Sequence, residues 1–233
     1  MQPSNKSSRV VMLDYAGPMT EPGGLRTLKK ERTRQALADV AISLFLARGF
    51  EQVSVAEIAA AAEVSKPTLF RYFASKEDLV LHRFADHLGE AARVVLARPA
   101  GQPPLAALRQ HFLDRLGERD PATGLCDHPE VLAFLRLVYE TPSLSSHLRE
   151  FLAADTRALA EALAGAVTGQ GELAPRLVAA QYVAVRQELT WANWTGLAAG
   201  ATEDELFPKA VAEAELAFAL LGTGAAGLGY GPG

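Results

Sequence analysis

The chain has 233 residues, 49% of them hydrophobic and 21% charged, with a formal net charge of −4. That is ordinary globular composition; a single cysteine, Cys126, excludes an intramolecular disulfide and a cysteine-rich zinc site and points to a reducing cytoplasm. The N-terminus lacks a long apolar run, so neither a signal peptide nor a membrane span is expected. The negative total argues against indiscriminate binding of nucleic acid but hides an asymmetry. Residues 26–83 carry ten Lys/Arg against seven Asp/Glu, whereas residues 84–233 carry eleven against eighteen. A small basic head on an acidic body suggests localised contact with a polyanion.

Residues 1–25 mix Ser, Pro, Gly and isolated charges without periodicity and are expected to form a disordered extension. From Leu28 the pattern turns helical: Leu37, Val40, Ala41, Leu44 and Phe45 recur at spacings of three and four. Gly49 closes that segment as a C-terminal cap. Ser54 with Glu57 three positions on is a capping-box pattern that opens a helix of about two turns. Ser65 begins the next helix, with Val64 and Leu69 at the two staple positions and Pro67 in the first turn, where its missing N–H costs nothing. Ser75 with Asp78 repeats the box and predicts a long helix to about Ala97, where "RPAGQPP" breaks it.

Further helices are expected at about 103–118, 128–140, 143–168, 174–199 and 203–222. The tail 223–233 is Gly-rich and expected to be flexible. Nothing alternates with period two over a useful length. The expected fold is therefore all-α, with about nine helices: a three-helix head at 26–80 and a larger helical body at 81–222.

The helix at 66–73 poses the functional question. At roughly 100° per residue, Leu69 and Phe73 share its inner side, while Pro67, Thr68 and Arg71 lie opposite, flanked by Lys66 and Tyr72. Lys66 and Lys76 each occupy the first position of a helix, where the macrodipole disfavours a cation. Both placements make sense beside an anionic backbone. Two short helices joined by "AAEV" form a helix-turn-helix, whose second helix enters the DNA major groove. Arg71 suits guanine O6 and N7, Thr68 a thymine methyl, and Ser54, Tyr72 and Lys76 the phosphates.

Residues 33–80, "TRQALADVAISLFLARGFEQVSVAEIAAAAEVSKPTLFRYFASKEDLV", resemble the DNA-binding head of the tetracycline-repressor (TetR) family of bacterial transcription regulators. The features that match are "A..LF...GF", "V.EIA..A.VSK.TL..YF.SKE.L" and the lengths between them. The resemblance implies a long fourth helix joining the head to a ligand-binding and dimerisation body, and operator binding as a homodimer. It implies that Lys66, Pro67, Thr68, Phe70 and Arg71 face bases, and that Ser54, Val55, Tyr72 and Lys76 face the backbone. Phe70 stands where the family often has tyrosine, which removes a hydroxyl contact and suggests a packing role. Arg71 occupies a variable family position and is the candidate for operator preference.

The body phrase "VLAFLRLVYETPSLSSHLREFLAADTRALAEALA" is loosely similar to family bodies that bind acyl-coenzyme-A-like ligands. Phe112, Phe134, Tyr139, Trp191 and Trp194 are candidate pocket aromatics, with Arg136, His111 and Glu188 as polar anchors. Core packing for the aromatics and surface ion pairs for Arg136 and Glu188 are the competing assignments. The last two helices, about 174–222, are small-residue-rich and are expected to pair with a second copy. No cofactor or metal is expected, because the histidines lack paired ligand spacing. An enzyme, or a ligand-binding helical protein, with an accessory DNA-binding-like head is the alternative. No nucleophile elbow, Walker sequence or dinucleotide fingerprint supports catalysis.

Overall fold

The computed structural model describes residues 25–167 and 169–231, and among these every regular element is helical. The expectation for residues 1–24 lies outside the described residues. In chain order the head contains α1 (Leu25–Arg48), α2 (Val55–Ala61), α3 (Lys66–Tyr72) and α4 (Lys76–Leu81). The body contains α5 (Glu90–Ala97), α6 (Pro104–Gly117), α7 (Pro129–Glu140), α8 (Pro142–Ala166), α9 (Leu173–Ala198) and α10 (Glu203–Ala225). Counting α4 and α5 as one interrupted helix gives the expected nine.

Local chemistry sets the helix starts. Ser54 and Ser75 close capping boxes with Glu57 and Asp78, and the Ser65 hydroxyl accepts the Thr68 N–H at 3.2 Å. Three body helices, α6, α7 and α8, begin on proline, whose fixed φ and absent donor suit a first helical position. At the end of α1, Gly49 has φ 87° and returns its N–H to Phe45 O at 2.8 Å.

The fourth helix is the main departure from expectation. The predicted run from Ser75 to Ala97 stops at Leu81, continues as a 3-10 segment over His82–His87, and restarts at Glu90. The 3-10 segment ends at Leu88, which is extended at ψ 125°, and Gly89 at φ 70° in the left-handed region sets the new start at α5.

Three hydrophobic clusters hold the described residues, a head core, a body core and a small one of Val131, Leu135 and Trp194. The head core joins Leu37, Ala41 and Phe45 of α1 to Ile58, Leu69, Phe73 and Leu79, and it also includes Val138 of α7 and Leu144 of α8. The body core layers Leu108, Phe112 and Leu116 of α6 with Leu159 and Leu163 of α8, Tyr182 of α9, and Phe218 of α10. Head and body thus meet through apolar contact at the α7–α8 corner.

The tail differs from its expected flexibility over the described residues. Beyond α10, Ala226–Leu228 forms a 3-10 turn, Tyr230 is buried, and its carbonyl accepts the Leu105 N–H at 3.0 Å. An aromatic ring with an apolar slot to fill outweighs the freedom of the surrounding glycines.

Candidate nucleic-acid interface

The short α3 is held from behind and left open in front. Leu69 and the following Phe73 are buried against α1 and α2, and Phe73 N–H closes the helix on Leu69 O at 3.0 Å. On the other side Lys66, Pro67, Phe70 and Arg71 are exposed, with Thr68 and Tyr72 half-buried at the edges. The Arg71 guanidinium lies 5.4 Å from the Tyr72 ring centroid, a cation–π arrangement that orders a long side chain.

Two residues sit differently from their expected places. Phe70, suggested as packing, is 52% exposed and offers a bare ring on the outer face of α3. Thr68 is less available than its spacing suggests, because its hydroxyl lies 2.9 Å from Ser65 Oγ within the cap.

Lys76, expected to face a phosphate backbone, turns its ammonium inward in this structure, to Phe50 O at 2.7 Å and Val53 O at 3.2 Å. It also lies 4.1 Å from the Phe50 ring centroid. Those carbonyls belong to the loop between α1 and α2, where the cation satisfies two acceptors. The mismatch inferred from its place in α4 is thereby resolved inside the protein. Lys66 remains exposed and carries that argument alone.

Ser54 is exposed and Val55 half-buried at the start of α2. Glu57 completes the cap: bonds from the Ser54 backbone and hydroxyl, with Arg48 at 2.7 Å, hold its carboxyl at about 2. The turn between α2 and α3 is tight. Glu63 takes φ 54°, and Val64 N–H reaches back to Ala59 O at 2.9 Å. A non-glycine residue there costs conformational energy that the surrounding packing holds in place.

A seven-residue helix with a buried spine, an exposed Lys, Pro, Phe and Arg, and a preceding two-turn helix is a helix-turn-helix. Residues 37–82 match the model of the tetR family of bacterial regulatory proteins. Over those residues the chain is similar to the TetR family. The HTH-type transcriptional regulator TcmR of Streptomyces glaucescens is 43% identical over 131 residues, which is 55% of this chain and 56% of that protein. The chain spans between about a third and just over half of the length of the curated relatives it matches. A TetR-family regulator of Streptomyces coelicolor A3 superposes with TM-score 0.50 at 25% identity, covering 88% of this chain and 99% of that one. NalD, the secondary repressor of a multidrug efflux pump in Pseudomonas aeruginosa, gives 0.53 at 18% identity over 80% of this chain and 97% of its own. That last likeness is one of fold.

The ligand residues expected in the body do not form one site. Phe112 is core, its ring 5.8 Å from Phe218. Arg136 and Glu188 are exposed, and Arg136 faces Glu140 at 3.8 Å along α7 as a surface pair. His111 lies 3.2 Å from Glu90. Tyr139, Trp191 and Trp194 do come together, with centroids 4.9 to 5.0 Å apart, and Phe134 packs on Phe84 nearby. Burial raises the Tyr139 phenol above its ordinary range.

The sequence reading missed a polar node at the helix break. Glu90 accepts Arg115 at 2.6 Å, meets His87 at 3.0 Å, and Arg115 also reaches Asp120 at 2.8 Å. Burial by itself would raise the Glu90 carboxyl, but bonds from His111 and His87 and the charges of His87 and Arg115 hold it well below the usual range. A glycine inside an otherwise helical "HLGEAA" was the available signal. Among the described residues, no group of three or more His, Cys, Asp or Glu is arranged to hold a metal ion, and no helix is long and apolar enough to cross a membrane.

Proposed function

We propose that this protein is a sequence-specific DNA-binding transcription regulator, a cytoplasmic homodimer that represses from a pseudo-palindromic operator. The observation that carries this reading is the outer face of α3, where Lys66, Pro67, Phe70 and Arg71 stand free on a helix fixed from behind. Arg71 and Phe70 are our base readers, the first for guanine and the second for a thymine methyl. Ser54, Val55, Lys66 and Tyr72 position the backbone. The match of residues 37–82 and the regulator name of TcmR support the assignment.

The partner face we assign to the last two helices. Leu173, Leu177 and Trp191 of α9 and Leu216 and Leu220 of α10 are large apolar residues exposed in the single chain. They alternate with exposed Ala180, Ala184, Ala212 and Ala219, small enough for close helix approach. A two-fold dimer through this face presents two copies of α3 to one side of a duplex. The effector in this reading is a small, largely apolar compound, acyl-coenzyme-A-like or otherwise hydrophobic, received near Phe134, Tyr139 and Trp191. A division into a head of 26–80 and a body of 81–222 goes with it, although the head core borrows Val138 and Leu144.

Selection of bound sequences from random DNA by the purified protein tests the reading. It should enrich a pseudo-palindrome whose half-sites lie about one duplex turn, or a multiple, apart. Enrichment of nothing beyond salt-sensitive background would overturn it. Small molecules are then screened for release of the selected duplex.

A further inference from the structure

The break between head and body is fastened from two sides. Gly89 N–H donates to Asp155 Oδ1 of α8 at 2.9 Å, and Arg186 of α9 donates to the other oxygen at 2.9 Å. Asp155 is 1% exposed, so its charge has no water to fall back on. One residue on, Glu90 is held to α6 by Arg115 at 2.6 Å, and Arg93 donates to Leu88 O at 2.7 Å.

The alternative for this linker is an unbroken helix. If α4 and α5 ran as one helix, Gly89 N–H would turn to the carbonyl four residues before it. Asp155 would then lose its amide and remain buried. A buried acceptor deprived of its donor is costly, so the two arrangements are discrete and not a continuum. The glycine permits the broken form, and Asp155 selects it.

We propose that Asp155 latches this hinge, and that Arg186 links the latch to α9, so that the state of the body sets the position of the head. The geometry of the latch stands by itself; its regulatory consequence rests on the DNA-binding reading above. Arg186 lies on the helix that also presents Leu177 and Trp191 to solvent. Whatever displaces Arg186, a compound in the body or altered packing on α9, frees the second oxygen of Asp155, so the carboxylate is no longer held in line with Gly89 N–H. Such an event shifts the equilibrium only by its difference in affinity for the two hinge states.

The test uses the full-length chain with Asp155→Ala, Asp155→Asn, Arg186→Gln and, as a packing control on the same helix, Leu159→Ala. Hydrogen exchange is followed in peptides covering 84–92. The head–body distance is read between spin labels at Glu51→Cys and Glu161→Cys in a Cys126→Ser background. Asp155→Ala and Arg186→Gln should alter exchange at 88–91 at least tenfold beyond any change in global unfolding, and broaden the distance distribution. Asp155→Asn keeps an acceptor for Gly89 and should fall between them and wild type; it and Arg186→Gln also serve if Asp155→Ala fails to fold. Leu159→Ala should change exchange only in step with global stability.

Exchange at 88–91 that follows global stability in every variant, or an Arg186→Gln protein with a wild-type hinge, overturns the latch. Hinge variants that loosen yet bind the selected operator within twofold of wild type overturn its control of the head. A wild-type protein that selects no operator removes the DNA-binding reading instead, while exchange and distance still decide the latch.

Discussion

Arg71 ends the exposed side of α3 with its guanidinium stacked over Tyr72, ordered but, among the described residues, in no ion pair with a carboxylate. Loss of that group by Arg71→Ala should weaken binding of the selected operator by about 1–3 kcal/mol and relax preference at one base pair, read by fluorescence anisotropy with single-base variants. Lys66→Ala should instead weaken all duplexes alike and lower the salt slope by about one. Unchanged operator affinity for Arg71→Ala removes it from the reading role. Lys76 belongs to a different class, because two carbonyls and a ring already hold its ammonium. We expect Lys76→Ala to leave the salt slope unchanged and to destabilise the chain by about 1.5–3 kcal/mol, the worth of a hydrogen bond to a charged group, measured by urea denaturation.

Among elements, the α2–α3 turn stores strain at a residue whose side chain is exposed. Glu63→Gly removes the left-handed penalty at φ 54°, partly offset by the greater freedom of glycine in the unfolded chain. A net gain of about 0.5–1 kcal/mol is expected in thermal denaturation; a loss would mean that the Glu63 side chain does more than occupy the turn. The helix break makes a prediction about pH. Glu90 has a folded carboxyl pKa below its ordinary 4.5, so its stabilisation is full above that value and is lost as pH falls through the folded value. Glu90→Gln should therefore lower the melting temperature at pH 7, and the gap from wild type should close as pH drops below about 4.5. A gap that stays constant down to pH 3, roughly, would show that the ionised form is not what the fold uses.

For the whole molecule, the exposed leucines of α9 and α10 decide assembly. Leu216→Glu with Leu220→Glu places two charges on the proposed partner face without touching either core. Sedimentation should shift from dimer to monomer, and operator affinity should fall at least tenfold because one head cannot hold both half-sites. A dimer that survives both changes puts the partner surface elsewhere. The buried tail links the far end of the chain to α6, since Tyr230 closes over Leu105. Composition gave no hint of this: eleven residues of mostly glycine and alanine look mobile until one tyrosine finds a slot.

The sequence alone determined the helices and the head, because caps, prolines and spacing of three and four act within a few residues of where they are written. Ser54, Ser65 and Ser75 each started the helix expected of them, and Leu69 and Phe73 took the inner side. Only the tertiary structure decided where long side chains end and which charges meet. Lys76 reaches carbonyls 26 and 23 residues away, and Gly89 meets a carboxylate 66 residues further on. Phe112 and Tyr139, equal as pocket candidates in the sequence, fall in separate clusters. Such contacts depend on how whole helices cross, which no local pattern encodes.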